Sequence, residues 1–284
     1  MTQSASGMFR TGIRKFASAP LSAQLGTIVI AIYVLTALFA PVLAPYGEAE
    51  IVGSQFQTWS SSFWLGTDNL GRDMFTRLIY GARNTIGIAI LTTCLSFSIG
   101  IAAGLAAATL GKWLDQALSR LVDVLMAIPQ LIFALLLLSM FGTSIPSLIA
   151  VIAFLDSTRV FRLTRALSIN VAVTDYVEAA RLRGEGLLWI MKNEILPNII
   201  PVLIAEFGLR FCFVFLLISG LSFLGLGIQP PTADWGSMVR DSAALITYGD
   251  VTPLLPAGAI VMLTVAVNLV VDWFLHTASG LKED

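Results

Sequence analysis

Two charged side chains stand where charge is costly. Glu206 and Arg210 interrupt an apolar run that extends from about 198 to 224. They are four apart, so on a helix they share a face and can pair. Charges within a membrane-length segment face a bundle interior or a water-filled cavity. Two roles stay open for them: lining the path of a polar or zwitterionic solute, or forming a buried structural ion pair between membrane subunits. On the last apolar run, Asn268 and Asp272 have the same spacing and fit a helix-packing hydrogen bond. Other chemistry has little to work with. His276 is the sole histidine, and no Gly-x-Ser-x-Gly occurs. Cys94 and Cys212 lie in apolar runs without metal-ligand spacing. Nearest to a phosphate loop is Gly111-Lys112-Trp113, which lacks the earlier glycine (Ala106 is there) and a Ser or Thr after the lysine. No catalytic residue, metal or cofactor of the chain's own is expected.

The elements that must position these charges are membrane helices. Of 284 residues, 56% are hydrophobic and 12% charged, against about 25% charged in soluble domains. Mean hydropathy is +0.83. A net charge of −1 argues against a nucleic-acid partner. A bilayer crossing needs about 20 apolar residues. Six stretches qualify, at roughly 24–45, 86–109, 121–141, 146–166, 198–224 and 254–276. The expected class is an all-α, polytopic membrane protein with six transmembrane helices. In the fourth stretch Asp156, Arg159 and Arg162 intrude, so it either stops near residue 158 or leans into a polar bundle interior.

Lys and Arg placement orients the spans. Arg10, Arg14, Lys15, Lys112, Arg120, Arg159, Arg162, Arg165, Arg181, Arg183, Lys192 and Lys282 fall on one side. Only Arg72, Arg77, Arg83 and Arg240 fall on the other. Both termini are therefore expected to be cytoplasmic. The run from Leu25 to Leu43 is longer than a signal-peptide core of about 7–15 residues, and reads as a retained span. Before it, Phe9, Ile13 and Phe16 recur at helical spacing beside Arg10, Arg14 and Lys15. That is either an interfacial helix or a disordered basic leader. The expected division is a cytoplasmic segment, 1–22, and a transmembrane domain, 23–284.

Gly100, Gly104 and Ala108 recur every four residues, which lets helix backbones approach closely. They do not name the helix that approaches. Outside segments 46–85 and 225–253 carry aromatic residues (Trp59, Trp64, Tyr80) and Gly/Pro respectively. The inside segment, about 159–197, is the most charged, and its loop proper is expected over about 167–197. Asp175 to Leu182 is helix-forming up to Gly184, which favours a helix end. Leu187, Leu188, Ile190 and Met191 with Lys192 and Glu194 make a second amphipathic piece. Pro197 then suits the first turn of the next helix. Ala179 and Ala180 would leave a bare face beside Arg181 and Arg183, able to lie flat on another protein.

Glu178-Ala179-Ala180, three residues, Gly184, then Ile195-Leu196-Pro197 resembles the EAA loop of bacterial ABC importer permeases. Leu65-Gly-Thr-Asp68-Asn-Leu-Gly71-Arg72-Asp73 with Tyr80-Gly81-Ala82-Arg83, and Leu221-Ser-Phe-Leu-Gly225-Leu-Gly227 with Pro230-Pro231 and Trp235-Gly236, are similar to signatures of the C-type permease of dipeptide, oligopeptide and nickel importers. Arg120, Asp123 and Pro129 also fit. Ile218 stands where relatives often have glutamate, and Val271-Asp272 where they have Gly-Asp. The resemblance implies a type I importer fold in the bacterial inner membrane. It assigns Glu178, Ala179, Ala180, Arg181, Arg183, Gly184, Leu196 and Pro197 to coupling with the ATPase. It also implies partners: a second homologous permease, ATPase subunits that bind Mg-ATP, and an extracytoplasmic solute-binding protein. Asp68, Gly71, Arg72 and Asp73 read as turn formers, Asp68 capping and Arg72 pairing with Asp73, or as contacts to the binding protein. A secondary transporter lacks the expected repeat. A membrane enzyme lacks a Ser–His or paired-Asp site.

Overall fold

The basic segment 1–18, with Phe9, Ile13 and Phe16, lies outside the residues described by the computed structural model, which are 19–279; so does Lys282. Helices come in the order α1 Leu21–Leu38, α2 Ala40–Leu43, α3 Met74–Thr109, α4 Lys112–Met126, α5 Gln130–Phe141, α6 Ile145–Ala172, α7 Asp175–Leu182 and α8 Leu187–Ile190. A π-turn at Met191–Ile195 follows, then α9 Leu196–Phe223, α10 Trp235–Ser242, a 3-10 turn at Ala243–Tyr248, and α11 Leu254–Ser279. Among the described residues only two isolated bridges represent extended pairing, Ile51 with Arg72 and Thr67 with Asp73.

Four stretches are long and apolar enough to cross a bilayer: Leu21–Leu38, Met74–Thr109, Leu187–Phe223 and Leu254–Thr277. The expected third span is corrected. Instead of one helix over 121–141, α4 and α5 meet at a 91° bend. Pro129 explains it: the ring donates no hydrogen bond and pushes Ile128 out of helical conformation. The pair counts as a fifth, broken crossing at most. The expected fourth span forms as α6, an unbroken helix of 28 residues. Every 18-residue stretch of α6 carries at least three of Asp156, Arg159, Arg162 and Arg165, so composition alone does not mark it as a crossing. It leans into the bundle: Asp156, Ser157, Thr158, Thr164 and Ser168 are all buried. The charged loop also starts later than expected, because residues 167–172 still belong to α6.

The helix that Gly100 and Gly104 admit is α6. A Cβ added at Gly100 would sit 2.5 Å from Val160 Cβ and 2.8 Å from the Ser157 carbonyl oxygen. At Gly104 it would meet Thr164 Cβ at 2.7 Å and the Phe161 carbonyl oxygen at 3.0 Å. Backbone cannot yield as a side-chain tip can. Gly104→Val is therefore expected to cost about 1–3 kcal/mol through overpacking, read as a lowered Tm of the purified chain in detergent. Ala102→Val, on the exposed side of the same turn, should leave Tm unchanged.

Pairings fix the directions. Ser96 meets Asp156 and Gly104 meets Thr164, so α3 and α6 run parallel. Gly26 lies against Ala266 and the Tyr33 hydroxyl donates to Ala259, so α1 and α11 run antiparallel. The bundle has two ends. One carries residues 46–73 and 225–253, with Trp235 at its centre. The other carries α7 and α8. The main core joins α3, α5, α6, α9 and Trp235 through residues such as Ile86, Leu138, Ile152, Phe215 and Leu221. A second core ties α7 and α8 to the bundle through Phe97, Val160, Val177, Ala180, Ile195 and Ile199.

Candidate functional site

The loop at the α7 end is built on a helix stop. Glu185 N–H donates to the Ala180 carbonyl at 3.2 Å and Gly184 N–H to that of Arg181 at 2.9 Å. This is the double bond of a Schellman cap, and it needs a left-handed residue in the middle. Gly184 supplies it at φ +82°. Nothing lies within 4 Å of a Cβ placed there, so conformation alone resists substitution. Gly184→Ala and Gly184→Leu should lower stability by the same amount, about 1–2 kcal/mol. A much larger loss for leucine by thermal unfolding would show a hidden contact.

One expectation about α7 is corrected. Ala179 and Ala180 do not form one bare face, because neighbours on a helix point about 100° apart. Ala180 is fully buried with Val177 against the second core. Ala179 is exposed. The outward strip runs Tyr176, Ala179, Leu182, at helical spacing, with Glu178, Arg181 and Arg183 also exposed. Leu182 is 83% exposed, and Leu188 on α8 is 80% exposed. With Val173, Tyr176, Leu187 and Trp189, also exposed, these two leucines form an apolar part of a surface that carries Glu178, Arg181 and Arg183 as well.

From α8 the chain widens into the π-turn before entering α9. Leu196 N–H reaches back five residues to Met191. Pro197, in the first turn of α9, has no N–H to give and would crowd the carbonyl four residues back. Widening relieves that conflict. Asn198 Nδ2 donates to the Glu194 carbonyl at 2.6 Å. Leu196 is half-buried and Ile195 fully so. Arg183 approaches Glu194 at 3.9 Å, which links the end of α7 to the start of α9.

Halfway along α9, Arg210 Nε lies 2.6 Å from Glu206 Oε1, as the four-residue spacing requires. The structure adds a third member. Asp156 of α6, 1% exposed at its side chain, lies 3.8 Å from Arg210 Nη1 and accepts from Ser96 Oγ at 2.9 Å. The Arg210 guanidinium also covers the Phe213 ring at 4.6 Å. Asp156 was visible in the sequence only as an interruption of a span. Its signal was its type: a carboxylate at that depth needs a cation, and Arg210 was the cation inside another span. A second pair joins α4 to α6, where Arg165 Nη2 donates to Asp115 Oδ2 at 2.7 Å.

At the other end the first signature folds on itself. Asp68 accepts from Arg72 Nε at 2.7 Å and from the N–H groups of Leu70 and Arg72, and Arg77 Nε lies 3.2 Å away. The expected Arg72–Asp73 pair is thus corrected. Asp73 instead caps α3, accepting from Thr76 N–H at 2.7 Å. Gly71, at φ +80°, abuts the Gly53 carbonyl oxygen at 2.1 Å from its would-be Cβ. All four residues are buried. The second signature inserts Trp235 beneath them. It is 1% exposed, donates from Nε1 to the Leu78 carbonyl at 2.9 Å, and meets Tyr33 and Phe215 edge-on at 5.6 and 6.2 Å. Asp234 caps α10 and accepts from Thr85; burial pushes its carboxyl above the usual range. Glu48 accepts from Asn84 Nδ2 and from Ala233 N–H, and so bridges the two loops. On α11, Asn268 bonds the Thr264 carbonyl of its own helix, while Asp272 is exposed.

Comparison with known proteins agrees with this arrangement. A solved structure, titled as an amino acid ABC transporter with histidines, shares the fold at TM-score 0.54 and 21% identity, over 72% of this chain and 94% of that one. The dipeptide transport system permease protein DppC of Alkalihalophilus pseudofirmus is 33% identical over 251 residues, 88% of this chain and 83% of its own. The di/tripeptide transport system permease protein DppC of Pseudomonas aeruginosa is 35% identical, over 87% and 84%. The nickel transport system permease protein NikC of Escherichia coli is 32% identical, over 90% and 93%. Residues 99–277 match the family of binding-protein-dependent transport system inner membrane components. The chain belongs to that family, as a membrane permease subunit of an ABC importer.

Proposed function

We propose that this permease carries a peptide, or a related small solute such as a nickel chelate, delivered by an extracytoplasmic binding protein. It pairs with a second, homologous permease and with ATPase subunits that bind Mg-ATP. It lies in a bacterial inner membrane with both termini cytoplasmic, so α7 and α8 face the ATPases. The supporting observation is the outward strip of α7. An EAA-like segment exposes Ala179 and Leu182 while burying Val177 and Ala180 in the bundle. A face held so rigidly transmits a push from a docked subunit to α3, α6 and α9. In this reading α6 completes a crossing, its charges turned to the bundle interior or to the partner permease. ATP binding closes the ATPase pair and opens the path outward; hydrolysis resets it.

Two finer assignments follow. Glu206 and Arg210 act first as structure, because Arg210 already meets two carboxylates. Asp68, Gly71, Arg72 and Asp73 shape the outer loop instead of meeting the binding protein, because they are buried. Purification of the tagged chain from its native membrane in mild detergent tests the assembly. A second permease and an ATPase with Walker motifs should accompany it. An intact chain that transports alone would point to an ATP-independent carrier. Glu178→Lys and Leu182→Asp should leave membrane insertion intact and cut solute-stimulated hydrolysis and uptake by about tenfold or more, as loss of a central docking residue does at other interfaces. Normal stimulated hydrolysis in both would remove α7 from the coupling role.

A further inference from the structure

The bend between α4 and α5 opens a cavity of about 120 Å³ against α6, lined by residues including Met126, Pro129, Gln130, Phe133, Thr158 and Arg159. Phe133 also belongs to an open apolar groove of about 500 Å³ between α5 and α6, flanked by Phe141 and Phe154. The joint space is polar and basic at one end and aromatic at the other. Arg159 sits about 20 Å from either end of α6, at 1.5 Å per residue. Among the described residues it makes no ion pair and no side-chain hydrogen bond. It feels the charge of Asp156, but that carboxylate is engaged by Ser96 and Arg210. The Gln130 side chain likewise makes no hydrogen bond among the described residues. Arg162, one turn on, has only the Met126 sulfur, at 3.7 Å. Arg165, the next in the series, is held by Asp115.

An exposed guanidinium this far from either end of a membrane-length helix calls for an anion or water beside it, and its planar fork matches a carboxylate. We propose that Arg159, with Gln130, forms an anion subsite for the carboxylate of the solute in transit, and that Arg162 is the next step toward the α7 end. Aromatic Phe133, Phe141 and Phe154 would then receive the solute's apolar groups. This inference rests on the import reading above and adds a substrate chemistry to it: solutes with a free carboxylate.

The test uses the whole importer in proteoliposomes, with Cys94, the exposed cysteine, replaced by alanine. Arg159→Cys is labelled with anionic and cationic methanethiosulfonates, each rate divided by that reagent's rate with a small free thiol. The anionic reagent should be favoured several-fold through Arg162, and Arg162→Gln should abolish the preference. Alanyl-leucine with its binding protein should slow the labelling; short-chain phosphatidylglycerol should not. The opposite protection pattern assigns Arg159 to lipid phosphate and overturns the proposal, as does a thiol that water-soluble reagents never reach. In uptake of alanyl-leucine, Arg159→Gln should lose about tenfold or more and Arg159→Lys much less, as for one charge-assisted hydrogen bond. Equal loss in both, with the complex assembled, also overturns it. If the unmutated complex hydrolyses ATP yet imports no dipeptide, the peptide assignment fails, while the charge preference of the labelling and its loss in Arg162→Gln still decide the subsite.

Discussion

Replacing Arg210 by alanine is expected to destabilise the bundle by about 3–5 kcal/mol, the usual result of stripping one partner from a buried pair. Asp156 would be left 1% exposed at its side chain, with the Ser96 hydroxyl as its remaining hydrogen-bond partner. Glu206, at 23% exposure, can turn toward water and suffers less. Removing both buried charges should hurt less than removing one. Asp156→Asn with Arg210→Gln is expected to recover at least half of the loss, since no uncompensated ion remains at the centre. Thermal unfolding of the native chain, Asp156→Asn, Arg210→Gln and the double variant in one detergent gives the cycle. Strict additivity would mean that Asp156 and Arg210 do not share a cluster. The same proteins report on function: if the cluster is structural, uptake should follow the folded fraction and no more.

Trp235→Ala is the second large effect, about 3–5 kcal/mol for a buried aromatic. The variant loses the Nε1 bond to Leu78 and both edge contacts, to Tyr33 and Phe215. A companion substitution makes the test specific. A Cβ on Gly81 would lie 2.6 Å from Trp235 Cδ1, so Gly81→Ala should be damaging in the native chain. In the Trp235→Ala background the obstruction is gone, and Gly81→Ala should be nearly neutral. Equal costs in the two backgrounds would mean that Gly81 is small for another reason.

Hydropathy located α9 and α11 to within a few residues, because long apolar runs have no other home, but it carried the first span seven residues past the end of α1. It missed the start of α3 by twelve residues. Arg77 and Arg83 made that turn look like loop, although Asp73 is an N-cap visible in sequence. It joined α4 and α5 into one span because hydropathy averages over a window and does not register Pro129. Glu206 with Arg210 was legible because four-residue spacing is a local rule. Asp156 in the same cluster was not, since which helices meet is set by packing of Gly100 and Gly104 on α6. Similarly, Asp68 with Arg72 and Arg77 depends on the path of the loop. That Ala180 points inward and Ala179 outward depends on where the bundle lies.

The Glu48 bridge has a consequence for the order in which the chain is made. Glu48 meets the backbone of Ala233, 185 residues later, and Arg77 reaches the carbonyl of Pro231, 154 residues later. At ribosomal rates of about 5–20 residues per second, the first loop waits on the order of ten seconds or more for the segment that completes it. Until then Arg77 and Asn84 have only Asp68 and Glu48 of their own segment as partners, and the rim of the Trp235 socket lies open. The Trp235 end of the bundle therefore closes only after α9 has been made. A chain cut short after α9 would leave that loop open, an identifiable target for membrane quality-control proteases.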